Sequence, residues 1–253
     1  MALRRVTDES AFVLHRYDWS EASLVLEVLT RQHGRMALVA KGVKRPTSQF
    51  RPVLLPLQPL LLSWGGDAEV RTLKSAQWQG GHVMPTGEAL LAGSYLNELL
   101  LRLLARDDPH PRLFDHYRRA VQLLASGQGS APWVLRAFEL VLLRETGLLP
   151  DLSHEGSTLA PVLADRRYAL DPENGLRLAR AEEAHTLLGE YALLLQAALD
   201  ADEPDTGLWA ACALCETALR RPLRTLLHYH SGVQVFKTRQ LMLDVQALNR
   251  TPP

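Results

Sequence analysis

Near residue 80 the apolar residues change their period, and this change restricts the possible folds more than any other feature of the chain. From Ala11 to Ser75 short apolar runs alternate between turn residues, the pattern of half-buried strands in a small barrel or sandwich. Past Gly80, Gly81 and Pro85 the period lengthens to about 3.6, with Leu91, Tyr95, Leu99 and Arg102 recurring at helical spacing between Glu88 and Ala105. One secondary-structure type cannot satisfy both periods. The expectation is an α+β protein, with a β-barrel domain over residues 1–80 and a mainly α-helical domain over 81–253.

Within the first part the candidate strands are Phe12 to Tyr17, Ser23 to Thr30, Arg35 to Ala40, Val53 to Leu62 and Glu69 to Ser75. In the second of these Leu24, Leu26 and Val28 share a face. His33 and Gly34 form a tight connection, Trp64 to Asp67 a hairpin turn, and Gly42 to Pro52, with two prolines, a long loop. Five short strands with a long basic loop after the third are compatible with the five-stranded OB-fold, and an SH3-like barrel fits as well.

In the second part, helices that begin near Pro111 and Pro132 and end at Gly127 and Gly147 follow the usual asymmetry of helix termini. Residues 150–180 are rich in turn formers, and Tyr168 to Leu170 and Leu176 to Leu178 flank Asp171 to Gly175 as a small hairpin insertion. Ala181 to Leu199 and Thr206 to His230 read as long amphipathic helices, the latter with a bend at Pro222, and Lys237 to Leu248 as a last short helix.

Charge adds an asymmetry. The chain has 28 Lys+Arg and 28 Asp+Glu, but residues 1–78 hold eleven basic against seven acidic side chains, leaving the remainder net acidic. The potential that attracts phosphate therefore lies in the N-terminal third. Arg4, Arg5, Asp8 and Glu9 interrupt the first apolar stretch and no later segment runs uncharged for the length of a membrane span, so the expectation is a soluble cytoplasmic protein. Two cysteines, Cys212 and Cys215, suit a reducing compartment.

A search for catalytic constellations finds no nucleotide-binding glycine loop, no nucleophile elbow and no His-Glu-x-x-His, and the expectation is a protein that is not an enzyme. Cys212 and Cys215 lack a second ligand pair and sit in an apolar run, which favours core packing over metal. His228 and His230 point in different directions on a helix and read as structural. The informative cluster is Lys41, Lys44, Arg45 and Arg51 around Phe50, a basic loop at a barrel edge. Arg16, Arg31, Arg35, Arg71 and Lys74 extend it as a candidate DNA-binding track, with Trp19 or Trp64 available for base stacking.

Taken in order, these residues resemble the RecO family of bacterial recombination-repair mediators. The likeness is carried by Phe12 to Leu24, Thr30, Gly34, Leu38 to Gly42, the basic loop and Leu57 to Leu60. It continues through Tyr95 to Leu99, Leu113 and Phe114, Arg136 to Leu143, Gly147, Gly232, and Phe236 to Arg239. It implies an N-terminal OB-fold, a helical C-terminal domain, binding of single- and double-stranded DNA, and annealing of complementary strands. It also implies work with RecR and RecF to help RecA displace single-strand-binding protein, without a cofactor. Many members hold zinc through four cysteines in the helical domain; residues 150–180 contain none, so no metal is expected, and Tyr168, Leu170, Leu176 and Leu178 are expected to hold the hairpin.

Annealing without covalent chemistry requires neutralised phosphates and accessible base edges, a task suited to a basic barrel face. The resemblance further implies a dock in the helical domain for the acidic tail of single-strand-binding protein. Arg136 beside Leu140 and Leu143 is the first candidate and Lys237 with Arg239 the second. An intrahelical pair between Arg136 and Glu139 is the competing interpretation. Two rivals of other classes are a peptide-binding adaptor and a metal-dependent nuclease using Asp67 and Glu69.

Overall fold

The computed structural model describes residues 5–81, 83–127, 131–201 and 204–250. Five strands, β1 (Arg5–Asp18), β2 (Leu24–Thr30), β3 (Gly34–Ala40), β4 (Pro59–Gly65) and β5 (Val70–Trp78), close into a barrel in the order β1-β2-β3-β5-β4. All neighbours are antiparallel except β3 and β5, which run parallel over Ala37 to Val39 and Val70 to Thr72. This is the OB-fold. Its core is built from the inward residues of every strand, among them Ala11, Val13, Leu26, Val28, Leu38, Leu62 and Leu73.

Two strand starts differ from the sequence expectation by more than one residue, and β4 and β5 also run on to Gly65 and Trp78. β1 begins at Arg5, because its first half pairs with β4 and its second half with β2. β4 begins only at Pro59, because the apolar residues before it belong to the long connection from β3. In that connection Val43 and Leu54 enter the barrel core, with Phe50 and Val53 packed against them. The apolar character of Val53 and Leu54 therefore reports a plug of the barrel core rather than a strand, while Leu57 packs beside Gly93.

α1 (Gly87–Leu103) and α2 (Pro111–Ser126) pack on the outside of the barrel. β1 is buried on both faces where they meet it: Ala11 and Val13 point into the barrel, whereas Phe12 contacts the rings of Phe114 and Tyr117, with centroids 5.6 and 5.0 Å away. Asn97 donates to the Leu14 carbonyl at 3.1 Å and accepts from the Tyr117 hydroxyl at 2.6 Å, so the polar groups enclosed there are satisfied. The first compact unit therefore extends past the barrel to Gly127, because the first two helices share a core with it.

The second unit holds α3 (Ala131–Glu145), β6 (Arg167–Asp171), β7 (Gly175–Leu178), β8 (Leu187–Leu188), α4 (Gly189–Asp200) and α5 (Pro204–Ser231), and α6 (Lys237–Arg250) closes the chain. The hairpin forms as expected, with a third strand added. Leu187 and Leu188 pair with Tyr168 and Arg167, so the helix expected from Ala181 starts only at Gly189. Tyr168, Leu170 and Leu176 are buried and secure the hairpin, but Leu178 is exposed and takes no part, because it lies at the outer end of β7. α5 leaves helical geometry at Cys215 (φ −120°, ψ 18°), upstream of the proline. Among the described residues no helix is long and apolar enough to cross a membrane.

Gly34 opens β3 at φ +70°, and a Cβ placed on it would lie 2.1 Å from the Asp108 carbonyl oxygen. Left-handed backbone costs an L-residue ~1–2 kcal/mol before any clash is counted. Gly34→Ala is expected to lower unfolding free energy in urea by more than ~2 kcal/mol. Gly66→Ala, at φ +113° with nothing nearby, should lose only the backbone contribution.

Candidate nucleic-acid interface

β5 pairs with β3 only as far as Thr72, and beyond that point the two strands part. The β3–β4 connection folds back over the opening, and a groove of about 500 Å³ forms between Lys41 to Phe50 of the connection and Lys74 to Gln77 of β5. Lys41, Arg45 and Lys74 line it with Thr47, Ser48, Gln49, Phe50 and Gln77, and no carboxylate is among the lining residues. The arrangement offers three cations and several neutral donors on one concave surface, which suits a chain of phosphates.

Local turns give the connection its shape. The Arg45 amide donates to the Gly42 carbonyl at 3.1 Å, the Ser48 amide to the Arg45 carbonyl at 3.0 Å, and the Leu54 amide to the Phe50 carbonyl at 3.0 Å. Lys44 tethers the connection to the β1–β2 turn: its Nζ lies 2.6 Å from Asp18 Oδ1 and donates to the Ser20 carbonyl at 3.0 Å. Arg51 is exposed on the same connection, outside the groove lining. Arg16 is exposed on β1 and reaches the Leu54 carbonyl at 3.4 Å.

Besides Lys44, three more of the nine candidate DNA-binding cations have structural occupations. Arg31 makes a two-pronged bond to Asp115 of α2, its Nη2 at 2.8 Å from Oδ2. Arg71 meets Asp107 at 2.6 Å. Arg35 lies 3.4 Å from Glu27, whose carboxylate is 3 % exposed and is also held by Arg106. The Arg31 and Arg71 pairs, with Arg106 on Glu27, fasten the barrel to the α1–α2 segment, and the charge of all three cations is largely neutralised at home. Sequence separation hid this, since each partner other than Glu27 lies in the helical half of the sequence.

Of the two tryptophans considered for stacking, Trp64 is 2 % exposed in the barrel core with His33 edge-on at 5.3 Å, and it cannot meet a base. Trp19 is exposed on the β1–β2 turn. The polar groove residues Thr47, Ser48, Gln49 and Gln77 escaped the sequence reading, although turn formers beside a basic run were the available signal.

The partner-binding residues on α3 are interior. The Arg136 side chain is 7 % exposed and bonds Glu139 at 2.6 Å, with a further contact to the Arg220 carbonyl at 3.5 Å. Leu140 and Leu143 are fully buried. The expectation of an accessible dock at these three residues is therefore corrected: the intrahelical pair with Glu139 is the arrangement found, because α3 packs its Arg136 face against α5. Lys237 is exposed and Arg239 half-buried at the start of α6.

Cys212 and Cys215 are reduced and buried, and burial pushes the Cys215 thiol up to about 11 and raises that of Cys212 as well. His228 is held between the Val233 carbonyl and the Arg224 guanidinium. Glu69, a candidate nuclease carboxylate, is paired with Arg106. Among the described residues no His, Cys, Asp and Glu side chains converge in a group able to hold a metal ion.

Comparison with known proteins agrees with the architecture. Residues 3–81 match the family model for the N-terminal part of recombination protein O, and residues 84–234 the model for its C-terminal part. The chain is 60 % identical over 256 residues to the DNA repair protein RecO of Variovorax paradoxus, covering 98 % of this chain and 99 % of that one. It is 58 % identical over 249 residues to the DNA repair protein RecO of Polaromonas naphthalenivorans, covering 98 % of this chain and all of that one.

The two roles of the barrel cations separate in stability measurements. Arg35→Ala leaves Glu27 with one partner fewer in a desolvated site, and a loss of ~1–3 kcal/mol in urea unfolding is expected. Lys74→Ala removes only a solvated charge and should change stability by less than ~0.5 kcal/mol.

Proposed function

The chain belongs to the RecO family of DNA repair proteins, and from that premise we propose that its barrel groove grips single- and double-stranded DNA and brings complementary strands together. In this reading the protein anneals strands and, with RecR and RecF, helps RecA take over DNA coated by single-strand-binding protein. It does so without a cofactor and without covalent chemistry, in the cytoplasm at the nucleoid.

The observation that carries the reading is the groove itself, in which Lys41, Arg45 and Lys74 converge with no lining carboxylate. Two strands repel each other as polyanions, and a surface that neutralises phosphates while leaving base edges unengaged lowers that barrier. Arg16 and Arg51 extend the cationic surface. Contacts of this kind are blind to sequence and weaken as salt rises, since binding is driven by release of counterions.

Recruitment would use the acidic tail of single-strand-binding protein. Because Arg136, Leu140 and Leu143 are interior in the helical unit, we assign that contact to Lys237 and Arg239. Arg136 then serves the stability of α3 against α5.

Binding of a labelled oligonucleotide, followed by fluorescence anisotropy across a salt series, tests the groove. The combined Lys41→Ala, Arg45→Ala and Lys74→Ala variant is expected to reduce the salt slope by roughly 2–3 units and to weaken binding more than tenfold at low salt. An unchanged slope would remove the groove from the interface, and absence of any binding at low salt would favour a protein-only adaptor. For recruitment, annealing of coated strands should be slowed by Lys237→Glu with Arg239→Glu only when the tail of single-strand-binding protein is present.

A further inference from the structure

The groove offers cations for phosphates but no exposed indole, and one stands in water on the turn that Lys44 ties to the same connection. Trp19 is 68 % exposed, whereas Trp64 of the same barrel is enclosed in the core. An exposed aromatic side chain is by itself ordinary, but this one sits on a turn tied through Lys44 to the connection that carries the groove cations, where a nucleic-acid ligand could cover it.

The position of Trp19 is fixed by its neighbours. The amides of Trp19 and Ser20 both donate to the Ser23 carbonyl, at 3.3 and 3.4 Å, which closes the β1–β2 turn on itself. Asp18 and Ser20, on either side of Trp19, are both bound to Lys44 Nζ, and the Lys44 amide donates to the Ala22 carbonyl at 3.1 Å. Lys44 is followed directly by Arg45, which lines the groove. The backbone of the turn that carries Trp19 is therefore braced against the same stretch of chain that carries the phosphate-binding cations, so little backbone freedom remains to be lost when a ligand covers the turn.

We infer that Trp19 is a stacking platform for an unpaired base and that it makes the groove selective for single strands. This rests on the groove being the DNA site. Cations recognise phosphates in either strand state, but the face of a base is open to an indole only when the base is unstacked. Trp19 thus adds affinity for a single strand and none for a duplex. Stacking engages the face of the base and leaves its pairing edge available, which is compatible with strand annealing.

The experiment uses the full chain with a short oligothymidylate and a duplex of equal phosphate number at one salt concentration. Trp19→Ala is expected to weaken oligothymidylate binding about tenfold and duplex binding by less than about twofold, with Trp19→Phe recovering most of the loss. Quenching of tryptophan emission by oligothymidylate should disappear in Trp19→Phe and persist in Trp78→Phe, the other indole exposed on the barrel; quenching lost in Trp78→Phe and kept in Trp19→Phe would place the base on Trp78 and overturn the inference. Equal losses on both ligands would mean that Trp19 only positions Lys44 and would overturn the inference. So would an unchanged ratio of the two affinities while the triple cation variant loses both ligands, a result that leaves the groove reading intact. If the unmodified chain bound neither ligand, the groove reading would fall and this inference with it.

Discussion

Glu27 is a carboxylate almost without water, and the arrangement of the barrel against its first two helices depends on it. An ion buried alone costs several kcal/mol of solvation, so the fold must bring positive charge to it. Arg35 approaches from the neighbouring strand β3 and Arg106 from the segment between α1 and α2. The Asp107 amide donates to the Arg35 carbonyl at 2.8 Å, and Gly34 comes too close to Asp108 for any side chain. One buried charge therefore draws the strand, the interhelical segment and the turn preceding β3 into a single register. Apolar contact between Phe12 and the rings of α2 supplies the larger area, but it is non-directional, whereas the ion pairs specify orientation.

The same economy decides which cations remain for a ligand. Arg31 and Arg71 face carboxylates across the barrel–helix boundary, Arg35 faces Glu27 within the barrel, and Lys44 ties two turns together. What stays available lies on the other side of the β3–β5 seam, where the strands separate and the long connection closes the barrel with Val43 and Leu54. Groove and plug are consequently one feature. Inward apolar residues hold the connection in place, and that leaves its basic residues pointing outward around the gap.

In the helical unit burial again overrules a reading based on residue type. Arg136 looks suited to a carboxylate ligand and has one, but the carboxylate is Glu139 one turn along the same helix, enclosed with it against α5. The insertion of β6, β7 and β8 is a further case. Its turn is set by Asp171, whose carboxyl is held below the usual range by the amides of Asn174 and Glu173. Its third strand comes from residues whose spacing resembles a helix.

Local rules acting over a few residues were legible in the sequence. The change of period marked where strands give way to helices, proline and glycine marked the ends of α2 and α3, and the cluster from Lys41 to Arg51 marked the connection that lines the groove. Interactions between residues far apart in the chain were not legible. Whether an arginine is available or neutralised depends on Asp107, Asp115 or Arg106 arriving beside the barrel. Whether Trp64 or Trp19 meets solvent depends on which of them the closed sheet encloses. The sequence by itself determined the elements, their order and the half of the chain carrying positive charge, because propensity and periodicity are short-range. Only the tertiary structure decided which charges and rings remain for a ligand, because pairing and burial are long-range and are settled when the barrel closes and the helices pack upon it.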